Sequence, residues 1–247
     1  MAHNFYDDRF FFEQYSQMPR SLKGLDAAGE WATFRDMLPS LKNTNVLDLG
    51  CGYGWHCEYA VAQHAAKVVG IDISEKMLQR ARQQPHADQI TFIKGSVDDL
   101  EEMGFESHEF DVVMSSLAFH YLPDFETVVE QVKEVLTFNG TFIFSIEHPI
   151  YTAHHSQDWV YDAAGKPAHW PVDDYQYEGE RQVEFLETRV TKYHRTLSHY
   201  LNVLIDHHFV IDGLAEPVPS EKMLEESPHM KEELRRPMML IISARRK

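Results

Sequence analysis

Three glycines at alternate positions, Gly50, Gly52 and Gly54, follow directly on the apolar run of Val46, Leu47 and Leu49. Glycine adopts the unusual dihedrals of a tight turn and lets a ligand come closer than a Cβ would permit. Asp72 stands 22 residues after Gly50, near the separation of about 20 at which a carboxylate takes a ribose diol in nucleotide-binding βαβ units. Farther along, His120, Glu147 and His148 each follow an apolar run, and all three can accept a proton from a reacting group. His120 reads equally as a helix cap or pocket liner. Glu147 and His148 read also as groups that hold the first turn before Pro149. A nucleotide and a proton acceptor are the chemistry this pattern can support.

These residues need a scaffold that brings strand ends together, and the hydrophobic pattern predicts one. Val46–Leu49 is a buried strand, and Trp55–Ala66 a helix after the glycine turn. Lys67–Ile73 is a second strand, with Ser74 as N-cap of the next helix. Gln89–Ile93 and Glu109–Ser115 are the third and fourth strands. Pro123 and Asp124 open a helix bearing Phe125, Val128, Val129 and Val132, and Asn139-Gly140 turns into a fifth strand, Thr141–Ile146. Strands that alternate with helical stretches imply parallel βαβ units, whose loops meet at the carboxyl edge where ligands bind. From Ile150 to Arg181 aromatics, Gly, Pro and Asp dominate, the mark of a lid or binding loop. Val183–His194 reads as a strand of that lid, Thr196–His207 as a helix, and Phe209–Ala215 as the sixth strand. Ser220–Glu233 is a charged helical or loop segment interrupted by Pro228. Met238–Ala244 is the last strand, able to pair with the sixth as an antiparallel hairpin. The first 41 residues carry Phe5, Tyr6, Phe10, Phe11, Phe12 and Tyr15, then helical spacing at Trp31, Phe34 and Met37. They read as a helical cap, with the basic linker Arg20-Ser21-Leu22-Lys23 lying over a ligand.

The expected architecture is therefore α/β, a doubly wound, mostly parallel seven-stranded sheet with an antiparallel last strand. It forms one domain over 1–247: a cap (1–41), a cofactor-binding core (42–149), a lid and substrate region (150–195), and a C-terminal part of the core (196–247). At 247 residues the chain can bury a full core. With 23 Lys and Arg against 39 Asp and Glu, the net charge is −16. Such a surface repels phosphate backbones and anionic lipid, so neither nucleic acid nor a membrane is an expected partner. No run of about 18 apolar residues occurs to span a bilayer, and Met1–Phe12 lacks the pattern of a signal peptide. The only cysteines, Cys51 and Cys57, fit a reducing cytoplasm and leave a metal site without ligands, so no metal is expected. The chain reads as a monomer or homodimer.

The glycine spacing narrows the nucleotide. In the dinucleotide pattern G-x-G-x-x-G the third glycine falls one position later, where Trp55 stands here, and no Gly-Lys-Ser/Thr of a P-loop exists. Val46-Leu47-Asp48-Leu49-Gly50-Cys51-Gly52-Tyr53-Gly54 resembles the first motif of class I S-adenosylmethionine-dependent methyltransferases. Val69-Gly70-Ile71-Asp72 resembles their second, and Phe110–Tyr121 their fourth. Leu136–Thr141 is similar to the turn before strand five. Within that superfamily the chain most resembles the small-molecule methyltransferases of ubiquinone and menaquinone biosynthesis.

The resemblance implies S-adenosyl-L-methionine as cofactor and S-adenosyl-L-homocysteine as product, with a small-molecule methyl acceptor. It implies that Gly50, Cys51, Gly52 and Gly54 approach the methionine part and the ribose, that Asp72 binds both ribose hydroxyls, and that Ile73 and Met77 line the adenine side. Ser96 and Val97 occupy the place where the family carries an acid for the adenine amino group. Ser96 departs from that pattern, so Asp98 or backbone groups take the contact. Ser115, Leu117 and His120 lie beside the methionyl group. Arg20 is the expected partner of its carboxylate, since a guanidinium binds bidentately. Aromatic faces stabilise a sulfonium by roughly 0.5–2 kcal/mol; Tyr15, Trp55 and Phe119 are candidates, and each reads also as core. Arg195 suits an acidic substrate or a structural ion pair, and the lid aromatics hint at a planar or apolar acceptor. A nicotinamide-dependent oxidoreductase and a non-catalytic cofactor-binding sensor are the rival readings.

Overall fold

A computed structural model describes residues 4–247, so the first three residues of the expected cap lie outside the described part. The cap comprises helices α1 (Arg9–Ser16), α2 (Pro19–Lys23) and α3 (Trp31–Met37). The expected basic linker is thus a helix, started by Pro19 at its first position, where the missing N–H is not needed. Strand β1 (Asn45–Leu49) leads through the glycine turn into α4 (Trp55–Ala62), and β2 (Lys67–Asp72) into α5 (Glu75–Ala81). Helix α4 stops four residues before the predicted end, where His64 takes a left-handed φ of 63°. Strands β3 (Ile90–Lys94) and β4 (Phe110–Ser116) precede α6 (Phe125–Val135), whose N-cap Asp124 accepts from the Thr127 N–H at 3.1 Å.

Strand β5 (Leu136–Glu147) is longer than expected. Asn139-Gly140 lies within it as an irregularity rather than a turn before it, with the register jumping from Phe110↔Leu136 to Val112↔Thr141. After β5 come α7 (Pro149–Thr152), the small hairpin β6 (Val160–Tyr161) and β7 (Pro167–His169), and a longer hairpin β8 (Gly179–Phe185) and β9 (Thr188–His194). The single strand expected over 183–194 is therefore two. Leu186 and Glu187 turn the chain with φ of 52° and 57°, the positive pair of a two-residue hairpin turn normally written with Asn or Gly. Helix α8 (Leu197–Asp206), strand β10 (Phe209–Ala215), helix α9 (Glu221–Glu226) and strand β11 (Met239–Arg246) complete the order.

The main sheet has seven strands in the order β10-β11-β5-β4-β1-β2-β3. Strand β11 runs antiparallel to both β5 and β10 and is inserted between them, while the other neighbours are parallel. Both faces are covered. Leu47, Leu49, Val69, Ile71, Val113, Phe142 and Phe144 point into a core shared with α6 and α8. Their alternates Val46, Val68, Val112, Met114 and Ile143 meet Trp31, Phe34, Ala60 and Leu78 of α3, α4 and α5. Period-two alternation explains why one apolar run serves two cores. The chain winds outward from β1 to β3 and then crosses to β4 on the other side. This leaves a crevice between the carboxyl ends of β1 and β4, the switch point where such sheets bind ligands. No helix of the described residues is long and apolar enough to cross a membrane.

Candidate active site

The glycine turn sits at that switch point. Gly50 has a φ of 74°, and a Cβ there would stand 2.6 Å from the Ala118 Cβ, whereas a Cβ on Gly52 would meet nothing within 4 Å. The turn is thus packed tightly on one side and open on the other. Its N–H groups are spent internally: Gly50 and Cys51 on the Ile71 carbonyl at 2.9 Å, Gly54 on the Cys51 carbonyl, and Gly52 on Asp72 Oδ2 at 2.8 Å. A loop that holds pyrophosphate must offer free backbone donors. This one offers shape, which weighs against the dinucleotide reading.

Asp72 ends β2 and is 8% exposed. Oδ1 accepts the Ser74 N–H and Oδ2 the Gly52 N–H, both at 2.8 Å. About two further acceptor positions remain on the carboxylate, enough for a vicinal diol. Burial pushes its pKa up to about 6 despite the two backbone donors. Ile73 is held by Asn4, whose side-chain amide donates to its carbonyl at 3.4 Å. Asp7 accepts from the Ser74 hydroxyl at 2.6 Å and the Lys76 N–H at 3.1 Å, so the cap is tied to the start of α5. Met77, on α5, is buried, as is Val97. Ser96 donates its hydroxyl to Asp98, which places both polar candidates for the adenine contact side by side.

On the β4 side, Ser115 is fully buried and its hydroxyl donates to the Leu49 carbonyl at 2.7 Å, joining β4 to β1. Leu117 adopts a φ of 55°, and its N–H donates to the Ser145 carbonyl at 2.9 Å; strained non-glycine backbone of this kind concentrates at functional sites. Arg20 reaches Glu30 Oε1 at 3.0 Å, and Ser116 donates to the same oxygen at 3.2 Å. Glu30 is 1% exposed and its Oε2 has no partner. Glu30 escaped sequence reading because nothing in the cap marks it as buried. Tyr15 stands edge-on to Tyr6 and Tyr53 at 5.3 and 6.0 Å, and burial raises its pKa to about 12. Phe119 turns instead into the core against Phe125, Phe142 and Phe144.

The three candidate proton acceptors separate into two groups. His120, in a 3-10 turn after β4, and Glu147, at the end of β5, lie together. Burial, joined by Lys192 and Arg195, pushes His120 down to about 4 against the pull of Glu147. Burial alone would raise the Glu147 carboxyl, yet Lys192 and His120 outweigh it and hold it below the ordinary carboxylate range. At neutral pH Glu147 is therefore a carboxylate and His120 a neutral imidazole. His148 is otherwise engaged: its Nδ1 accepts the Ile150 N–H at 3.0 Å as N-cap of α7, and its Nε2 lies 2.9 Å from Glu216. It holds the turn before the lid.

Arg195 donates to the Leu122 carbonyl at 2.5 Å and to Phe119 at 3.5 Å, so it pins the turn carrying His120 and is not open to an acidic substrate. Three of the lid aromatics are also committed. Arg236 lies 4.2 Å from the Trp170 ring, 4.9 Å from Tyr151 and 5.6 Å from Trp159. The faces of these three hold the segment before β11, while Tyr161 and Tyr177 stay exposed. The residue that the sequence concealed is Lys192, on β9, 3% exposed and 2.6 Å from Glu147. Its spacing from Val190 and His194, two residues to either side, was the available signal of a buried face.

The methyltransferase domain family matches residues 40–172. An uncharacterised Haemophilus influenzae protein is 35% identical over 251 residues, covering 98% of this chain and 96% of that protein. The crystal structure of an S-adenosylmethionine-dependent methyltransferase from Mesorhizobium loti matches with a TM-score of 0.82 at 42% identity, covering 90% of this chain and 100% of that one. A ubiquinone biosynthesis O-methyltransferase of Neisseria meningitidis is 32% identical over 136 residues, which span 50% of this chain and 56% of that enzyme.

Proposed function

We propose, for a chain that belongs to the methyltransferase domain family and is an S-adenosylmethionine-dependent methyltransferase, that its acceptor is a small molecule enclosed between the carboxyl ends of β4 and β5 and the β8–β9 hairpin. The observation that carries this reading is the pair of buried, unpartnered polar atoms His120 Nδ1 and Glu147 Oε2. A site walled in by the cap and the hairpin suits a compact acceptor better than a polymer chain.

S-adenosylmethionine, when bound, supplies a methyl group on a sulfonium whose sulfur is already an activated leaving group. The protein's residues then have to bind, orient and exclude water. Asp72 would take the ribose hydroxyls, with Ile73, Met77, Val97 and the Ser96–Asp98 pair around the adenine. Gly50, Cys51, Gly52 and Gly54 would give the open turn beneath the ribose and methionine parts, next to Ser115 and Leu117. Arg20 would hold the carboxylate and the free Glu30 oxygen the ammonium of the amino acid part. Tyr15 would offer its ring to the sulfonium. Glu147 and His120 accept the acceptor's proton as the new bond forms; His148, busy as a cap, positions the lid.

Transfer of labelled methyl groups into a cell extract, divided afterwards into low-molecular-weight and macromolecular fractions, tests this. Label is expected in the small-molecule fraction. Label confined to protein or RNA would overturn the acceptor assignment, and tight cofactor binding without any transfer would favour the sensor reading.

A further inference from the structure

Lys192 has no place in the cofactor site, yet its ammonium is carried into the interior by a hairpin. It donates to Glu147 Oε1 at 2.6 Å and approaches Gln157 Oε1 at 3.5 Å. The rings of Phe185 and Tyr121 lie 5.2 and 5.9 Å away. A lysine and a glutamate buried for stability alone are best placed with every lone pair satisfied, because removing charges from water is costly. Here Lys192 holds one carboxylate oxygen and the Gln157 side chain adds its polarity to the same group. Glu147 Oε2 has no partner, and neither has His120 Nδ1 from the neighbouring strand end. The groups that face Glu147 are His120 and Tyr121 after β4, Tyr151 of α7, Lys192 of β9 and Tyr200 of α8, with Arg195 behind His120.

We propose that Lys192 is a positioning residue for the acceptor site: by occupying Oε1 it keeps Glu147 a buried carboxylate and leaves Oε2 to receive the X–H of a hydroxyl- or amino-bearing acceptor. The inference rests on the acceptor site proposed above and adds the chemical class of the acceptor. The acceptor's lone pair forms the X–CH3 bond while the S–CH3 bond breaks with its electron pair left on sulfur. The X–H proton passes to Glu147 Oε2, directly or by way of His120 Nδ1, and then to solvent. The product of attack by a neutral hydroxyl is a strong acid, so even a weakly basic carboxylate takes its proton. A thiol gains little here, since it is a poor hydrogen-bond donor and attacks as a thiolate, which needs no base and is repelled by a carboxylate.

Purified protein with tritiated S-adenosylmethionine is offered one panel of phenol, catechol, benzylamine and ethanolamine, and a second of thiophenol and 2-mercaptoethanol. Transfer to the first panel is expected, with kcat/KM falling on the acid side. In Lys192→Met the strongest opposition to burial at Glu147 is lost and only His120 and Gln157 remain, so its carboxyl protonates at higher pH and the acid limb moves up by about one pH unit or more; Lys192→Arg restores it. A merely structural lysine would lower the rate without moving the limb. Should Lys192→Met fail to fold, the double variant Lys192→Met/Glu147→Gln removes both charges of the buried pair and is expected to lose transfer to the first panel. An unmoved limb, retained transfer in the double variant, transfer to thiols alone, or transfer to neither panel overturns the proposal. S-adenosylhomocysteine affinity is read in parallel: its absence in the unaltered protein would instead overturn the methyltransferase reading.

Discussion

The two halves of the crevice are built by different means. On the cofactor side, one short stretch of chain and its neighbour do nearly everything. The turn after β1 spends its N–H groups on Ile71, Cys51 and Asp72, all within 22 residues of Gly50. On the acceptor side, Glu147 meets a lysine 45 residues away, and the roof is a small separate core of Phe11, Val183 and Val190 with Phe5, Tyr6 and Tyr15 packed against it. The first half is backbone held by its own hydrogen bonds. The second is side chains held by tertiary packing. A rigid local turn suits a cofactor that never varies, and an imported hairpin suits an acceptor whose identity must be specified.

If the halves are that distinct, damage to one should leave the other working. The largest effect is expected from Asp72→Ala, which removes about two charge-assisted hydrogen bonds to ribose at about 1.5–3 kcal/mol each and also releases the Gly52 N–H. Calorimetry with S-adenosylhomocysteine should show affinity weaker by about a hundredfold or more; unchanged affinity would refute the ribose assignment. Gly50→Ala should follow, since a Cβ would both meet Ala118 at 2.6 Å and sit at a φ of 74°. A loss of about 3 kcal/mol of stability is expected in urea unfolding, and an undisturbed midpoint would mean the turn is looser than it stands.

Asp48 tests how far the cofactor side has been built at the expense of stability. It is 1% exposed, with only the Cys57 thiol donating to it at 3.4 Å, and burial pushes its pKa up to about 7 from the usual 3.8. Between those two values the folded state keeps a proton that the unfolded chain has released, so stability falls as pH rises through this window. Asp48→Asn should remove that decline, gaining on the order of 4 kcal/mol at pH 8 and almost nothing at pH 4. Equal unfolding free energies for the two proteins at pH 8 would count against it. The smallest change is expected from Val190→Ala in the roof. It should cost about 1–2 kcal/mol through a cavity and raise the acceptor KM, while cofactor affinity changes by less, reaching that site only through Tyr15, which packs on the same core. A matching loss in cofactor affinity would show the halves to be one unit.

Much of this was legible before any coordinates. Strand Phe209–Ala215 and the Ser74 cap stand where apolar pattern and capping chemistry put them. The Leu186-Glu187 turn was not legible, because neither residue advertises the positive φ it adopts. Nor was the length of β5, since Asn139-Gly140 is a turn signal in one context and a strand irregularity in another. His120 and Glu147 stand together at the strand ends, where the apolar runs before them place them. Lys192 was hidden because a lysine in an alternating strand reads as a solvent-facing residue, and only the packing of β9 against the turn after β4 reverses that.

The sequence by itself determined the glycine turn, the acid that answers it and the order of strands. These depend on backbone dihedrals and hydrophobic period, which act over a few residues. Tertiary structure alone decided which groups share the proposed acceptor site: it paired Glu147 with Lys192, gave Arg195 to backbone carbonyls and turned His148 into a cap. Those choices are made by which surfaces pack together, and a side chain's neighbours across 45 residues leave no mark on its own stretch of chain.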